Sequence, residues 1–167
     1  MSNEETGPPT ARPWGKGKLV VERLIEQGRL DVVIPDADVV ERQLDYAKQH
    51  LDSARELEER FPMPAFVNAY DSARMLMTAV LEKQGLRARP EGAHLTVEEA
   101  MTAQIGESVG RKFRAIRLLR HASLYPEPGR EGANEQSAKD AIHFAETFQE
   151  AILTLLPQMG TFREPHE

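Results

Sequence analysis

The sequence predicts an all-α, up-and-down bundle of five to six helices. Three observations carry that expectation. Apolar residues recur at spacings of three and four over 37–60, 64–84 and 135–156, the mark of one buried helical face each time. The breaks between these stretches are short and rich in Pro and Gly, which favours antiparallel neighbours. Only LDVVIPD at 30–36 reads as extended, and no other segment offers it a partner strand. At 167 residues, with 40% apolar and 29% charged residues, the chain suits one globular domain, read here as 17–156. No period of about 20–50 residues repeats, which excludes a solenoid.

The elements follow in order. Residues 1–16 carry three Pro and two Gly and read as a flexible tail; the alternative is that Trp14 pins it to the body. KLVVERLIEQ (18–27) places Leu19, Val20, Leu24 and Ile25 on one stripe, a short helix closed by Gly28. LDVVIPD is then a packed connector, with Asp36 as the next helix cap. The helix over 37–60 turns Val40, Leu44, Ala47, Leu51, Ala54 and Leu57 inward, and Phe61-Pro62-Met63-Pro64 ends it. A second long helix starts at Pro64 and runs to Gln84. Its broad apolar face is Phe66, Ala69, Tyr70, Ala73, Leu76, Met77, Val80 and Leu81. LRARPEGAHL (86–95) reads as a loop, and Thr96 with Glu99 as a capping box opening a helix over 97–105. A helix over 107–124 buries Val109, Phe113, Ile116 and Leu119. The last, over 135–156, buries Ala138, Ile142, Ala145, Phe148, Ile152 and Leu155, and 157–167 reads as a tail.

Composition closes off several functions. Without cysteine there is no disulfide scaffold, thiolate metal site or cysteine nucleophile. No HExxH or DxDxDG spacing appears, and GKGK (15–18) lacks the setting of a phosphate loop, so no metal or cofactor is expected. No apolar run approaches the roughly 18 residues of a membrane span. The polar start MSNEETGPP shows no secretory signal, which makes a cytoplasmic location the expectation. A net charge of −6 argues against general DNA coating; nucleic-acid contact would have to be local.

One stretch is set apart by its charge. RKFRAIRLLRHASLY (111–125) contains Arg111, Lys112, Arg114, Arg117, Arg120 and His121, and no acidic residue falls between Ser108 and Pro126. With −6 in total and +5 here, the rest of the chain carries −11. Arg114, Arg117 and His121 stand at i, i+3 and i+7 and share a face. These cations are expected to converge on one pocket or subunit seam. Three readings stay open for them: a solvated or dimer-facing basic surface, a phosphate site without cleavage, and a working ribonuclease. Clustered guanidinium forks suit phosphate oxygens.

The order of motifs over AYDSARMLMTAVLEKQGLRARPEGAHLTVEEA (69–100), followed by RLLRHASLY (117–125), resembles the HEPN domain family. The likeness spans roughly 37–156 and is greatest to small stand-alone bacterial members. It implies a four- to five-helix bundle that homodimerises through polar helix faces. It also implies RNA cleavage, toxin–antitoxin function, or partnership with a small nucleotidyltransferase. Catalytic members place a His after an Arg with four to six residues between them; the His moves a proton and the Arg steadies the scissile phosphate. Counting from Arg120, Tyr125 occupies the histidine position, and with a pKa near 10 it is a poor acid–base group at neutral pH. The other register pairs Arg114 with His121. The preferred reading is therefore an interaction or regulatory module binding protein or RNA phosphates through Arg111, Arg114, Arg117, Arg120, Tyr125 and Arg74. The alternative is a metal-independent endoribonuclease using Arg114 or Arg120 with His121. His94 reads as a structural residue at the head of its helix. Arg74 reads as a partner for Asp71 or Glu82, and Tyr70 and Tyr125 as buried rings offering hydroxyls to a polar interface.

Overall fold

A computed structural model describes residues 15–163. Trp14 and most of the N-terminal segment lie outside this range. The order is α1 (Lys18–Glu26), β1 (Leu30–Val32), α2 (Ala37–Leu57), α3 (Pro62–Lys83), β2 (Leu86–Ala88), α4 (Ala93–Ile105), α5 (Glu107–Leu124) and α6 (Glu135–Leu155), closed by a 3₁₀ turn at Leu156–Gln158. The described residues form an all-α, up-and-down bundle of six helices with one minimal β ladder.

Helix α3 is the centre. It packs most extensively on α2 and α6, and meets α4 and α5 on its remaining side. Small residues explain the close approach: Ala65, Ala69, Ala141 and Ala145 are all buried around Phe66, Leu51 and Ile142. The larger half of the core gathers Tyr70, Leu76, Met77, Met101 and Phe113. Each aliphatic or aromatic side chain so buried contributes on the order of 1.5–3 kcal/mol. Inside this core Ser72 satisfies its hydroxyl on the Ala47 carbonyl at 2.7 Å, and Gln84 and Gln104 exchange amide hydrogen bonds.

The inward faces of α2, α3 and α6 are those the periodicity marks, and Asp36 caps α2 by accepting from the Asp38 and Val39 amides. Several elements differ from expectation. The extended segment does have a partner: Leu30, Asp31 and Val32 pair antiparallel with Ala88, Arg87 and Leu86. Three residues are too few for an alternating pattern to show, and the pairing is long-range. Gly85 makes it possible. Its φ is 72°, and a Cβ there would stand 2.7 Å from the Val33 carbonyl oxygen. Helix α3 begins at Pro62, not Pro64, because its first-turn proline needs no amide partner.

Helix α4 starts at Ala93, a full turn before the capping box that Thr96 and Glu99 suggest. Thr96 is instead buried within the helix and accepts from Arg29 Nε at 3.3 Å, while Glu99 binds Arg23 and Arg29. In α1, Leu19 is 82% exposed and Val21 is buried in its place. A nine-residue helix has too few positions to define its face from spacing alone. Finally, the segment read as a C-terminal tail is packed as far as Phe162. Met159 and Phe162 are buried, and the Phe162 amide donates to the Gln84 carbonyl at 2.8 Å.

One contact aims the basic helix. Gly110 lies against Thr102, where a Cβ would come within 2.4 Å of the threonine side chain. This lets the start of α5 lie close on α4. By contrast α5 and α6 diverge, leaving between them an apolar groove of about 530 Å³ walled by Ile116, Leu119, Phe144 and Phe148.

Candidate functional site

The junction of α3, α4 and α5 brings charged and aromatic groups together. Its base is Tyr70, whose ring is buried against Phe113 with centroids 5.3 Å apart. The Tyr70 hydroxyl reaches His94 Nδ1 at 2.9 Å, and the two rings lie nearly parallel. Burial raises the Tyr70 pKa, against the pull of Arg120 and Arg74, so the phenol keeps its proton. The phenol and His94 Nδ1 share this hydrogen bond, with the donor set by the His94 tautomer. Burial, then repulsion from Arg74 and Arg120, holds the His94 pKa below its ordinary value, with Asp71 opposing.

Three guanidinium groups surround this pair. The Arg120 guanidinium carbon sits 4.9 Å from the Tyr70 ring centroid, a cation–π contact. Its Nε is buried without an acceptor, and it makes no ion pair among the described residues. Arg74 Nε is likewise buried and unsatisfied: Asp71 Oδ1 stands 3.6 Å away, beyond hydrogen-bond reach. Arg117 donates Nε to Glu98 Oε2, and Arg114 Nε donates to Glu98 Oε1 at 3.0 Å. Arg74, Arg117 and Arg120 all act electrostatically on both Tyr70 and His94. Two buried N–H donors without acceptors are costly unless something accepts from them, and here both belong to cations.

Glu98 organises the cluster from beneath. Its side chain is 5% exposed, and both carboxylate oxygens are taken by α5 arginines. That pairing fixes the rotation of α5 over α4, and it holds the Arg114 pKa above its usual value. Beside Arg74 and His94 opens a second cavity of about 150 Å³, with Thr78, Leu81, Leu86, Ala93 and Val97 in its wall.

The expected site residues thus divide. Arg74, Arg114, Arg117 and Arg120 come together. Arg111 is exposed and unpaired among the described residues, and Lys112 lines the α5–α6 groove. The His121 ring lies tilted against Tyr125, ring centroids 4.8 Å apart, at the far end of α5. Tyr125 is 63% exposed and not buried as expected, because α5 ends at Leu124 and the chain turns away at Pro126. Arg114 is held by Glu98, and Arg120 lies on Tyr70. The histidine that does stand among arginines is His94, a full helix away. Glu98 carries no sequence signal beyond being a charge in a helix. Only the Tyr70-x-x-x-Arg74 spacing, which sets both side chains on neighbouring turns of one face, pointed to this junction.

Among the described residues no three His, Asp or Glu side chains gather as a metal site, and no helix is long and apolar enough to cross a membrane. Compared with models of known protein families, with curated proteins and with solved structures, the chain matches none.

Proposed function

We propose that this chain is a HEPN-like regulatory module, of the toxin–antitoxin type, that binds RNA or nucleotide phosphates at the α3–α4–α5 junction. The observation that carries the reading is the pair of buried, acceptor-less Nε donors of Arg74 and Arg120 flanking His94. Guanidinium forks supply planar, charge-assisted hydrogen bonds to phosphate oxygens, and the buried Tyr70 ring holds one fork in place. The module acts as a homodimer through the α5–α6 groove. Charge supports a second copy as occupant: α5 is basic, while α6 presents Glu135, Asp140, Glu146 and Glu150. Lys112 and Asp140 face the groove from opposite walls, so a two-fold axis would pair each with the other's counterpart.

The test is anisotropy of a labelled single-stranded RNA with purified protein in EDTA. Binding that weakens steeply with salt, and is lost in Arg120→Gln and Arg74→Gln, supports the module. Unchanged binding in both variants would remove the junction as its site. A second reading, a metal-independent endoribonuclease, draws on His94 standing beside Arg74 and Arg120 rather than on His121. Cleavage in EDTA that disappears in His94→Ala and survives in His121→Ala would select it.

A further inference from the structure

The α5–α6 groove opens at the end of the bundle where the described chain begins. Gly17 lies directly on α4: a Cβ there would stand 2.7 Å from the Ala103 carbonyl oxygen. Lys16 reaches over the corner between α4 and α5, its Nζ 3.9 Å from where a Gly106 Cβ would be. Helix α5 starts at Glu107, and Val109 in its first turn already lines the groove. At the opposite end Ser123 Oγ accepts from the Ala133 amide at 2.7 Å, just before α6 begins, so the two helices run antiparallel. The Val109 end of the groove is therefore walled by Phe148 and Ala151 from late in α6. That end lies beside the point where the chain enters the fold.

The sequence ahead of Gly15 reads MSNEETGPPTARPW, with Pro8, Pro9 and Pro13 and the only tryptophan of the chain, Trp14. From Val109 to Leu119 the groove follows ten residues of helix, about 15 Å. A proline-rich strand rising about 3.1 Å per residue covers that distance in about five residues, the length of Pro9–Pro13. The groove walls are apolar, and Phe144 stacks on Phe148 with centroids 5.6 Å apart. Aromatic-lined grooves take proline-rich segments because a polyproline II backbone is stiff beforehand and loses little entropy on docking. Charge agrees: laid from Trp14 toward Leu119, the segment carries Arg12 past Asp140 in the groove wall. We infer that residues 9–14 dock in the α5–α6 groove of their own chain, with Trp14 at the Val109–Ala151 mouth, and exclude a second copy. The docking stands on the groove and the entry point; its effect on assembly rests on the homodimer reading. Joined directly to Gly15, the segment meets the groove at an effective concentration on the order of millimolar, whereas a second copy arrives only at its own concentration.

Because Trp14 is the sole tryptophan, its emission reports on this segment alone. The full-length protein is diluted until light scattering reads monomer. Its emission should then be blue-shifted, and shielded from acrylamide, relative to a synthetic peptide of residues 1–14. Ala151→Glu sets a carboxylate at the groove mouth from an exposed position of α6, clear of the core, and should return both readings to those of the peptide. Ala115→Glu, exposed midway along the groove, is a second such variant. Trp14→Ser should tighten the dimer about tenfold in Kd, as expected if the segment holds about nine-tenths of the grooves. Peptide-like emission in the parent, or a blue shift that survives both groove variants, would overturn the inference. So would a blue shift that develops only as concentration rises, since the groove would then be taking the segment of another copy. A dimer whose Kd ignores Trp14→Ser would overturn the competition. No dimer at any concentration, with the blue shift still lost in Ala151→Glu, would strike the homodimer reading and uphold the docking.

Discussion

Glu98→Gln should lower stability and raise anion affinity at the same time. The carboxylate is almost wholly buried and accepts from both Arg114 and Arg117, whose side chains are 58% and 23% exposed. Removing one partner of a buried ion pair typically costs about 3–5 kcal/mol. Glutamine keeps the size and one acceptor oxygen, and the Arg114 half is well solvated and counts for little. That leaves the Arg117 half, a charge-assisted hydrogen bond of about 1.5–3 kcal/mol. At about 2–4 °C per kcal/mol for a domain of this length, Tm should fall by roughly 3–12 °C. Meanwhile the local charge rises by one unit, and one extra unit charge near the anion adds about 1 kcal/mol, or roughly fivefold in affinity at low salt. Circular dichroism melts and sulfate titration by calorimetry read the two effects separately. A variant as stable as the parent would show that Glu98 does not hold α5 in place. A loss of sulfate affinity would show that Glu98 positions Arg117 for the ligand, contrary to its assigned role as a competing counter-charge.

Further perturbations test the other claims. His94 has a pKa held below the ordinary value of about 6.5, so the folded state binds fewer protons; its stabilising contribution is complete above that value and is lost progressively as pH falls from there through the lower folded-state pKa. Sulfate does not titrate there and stabilises the protonated imidazole, so its affinity should rise as pH drops from about 7.5 to about 5.5, and His94→Gln should flatten that profile. Gly110→Ala should cost about 1–3 kcal/mol in urea melts, because its Cβ meets Thr102 at 2.4 Å. Adding Thr102→Ala should restore part of that loss; no recovery would mean the cost arises elsewhere. Ala115→Glu puts a carboxylate in the α5–α6 groove opposite Asp140 without touching the core. Light scattering should show the proposed homodimer shifting to monomer by about tenfold in Kd or more, with the melting temperature of the monomer unchanged.

The helices were legible because burial on one face is a local, periodic property. Val40 to Leu57 in α2, Phe66 to Leu81 in α3 and Ala138 to Ile152 in α6 state their inward faces in residue spacing alone. Where a segment is too short for a period to repeat, spacing misleads, as Leu19 in α1 and the three-residue strands do. The concentration of cations in α5 was equally plain from sequence. Which of them act together was not. Arg114, Arg117, Arg120 and His121 are neighbours along one helix, yet His121 turns to Tyr125 while the others meet Glu98 and Tyr70.

By itself, then, the sequence determined a helical bundle, the buried faces of α2, α3 and α6, and the helix that carries the positive charge. Each of these depends on residues within a few turns of one another. The tertiary structure alone decided that α5 crosses α4 at Gly110, that a buried carboxylate from α4 neutralises two of its arginines, and that a histidine from one helix and a tyrosine and arginine from another complete the site. Those relations join positions 70, 74, 94, 98, 117 and 120, and only the packing of α3, α4 and α5 brings them together.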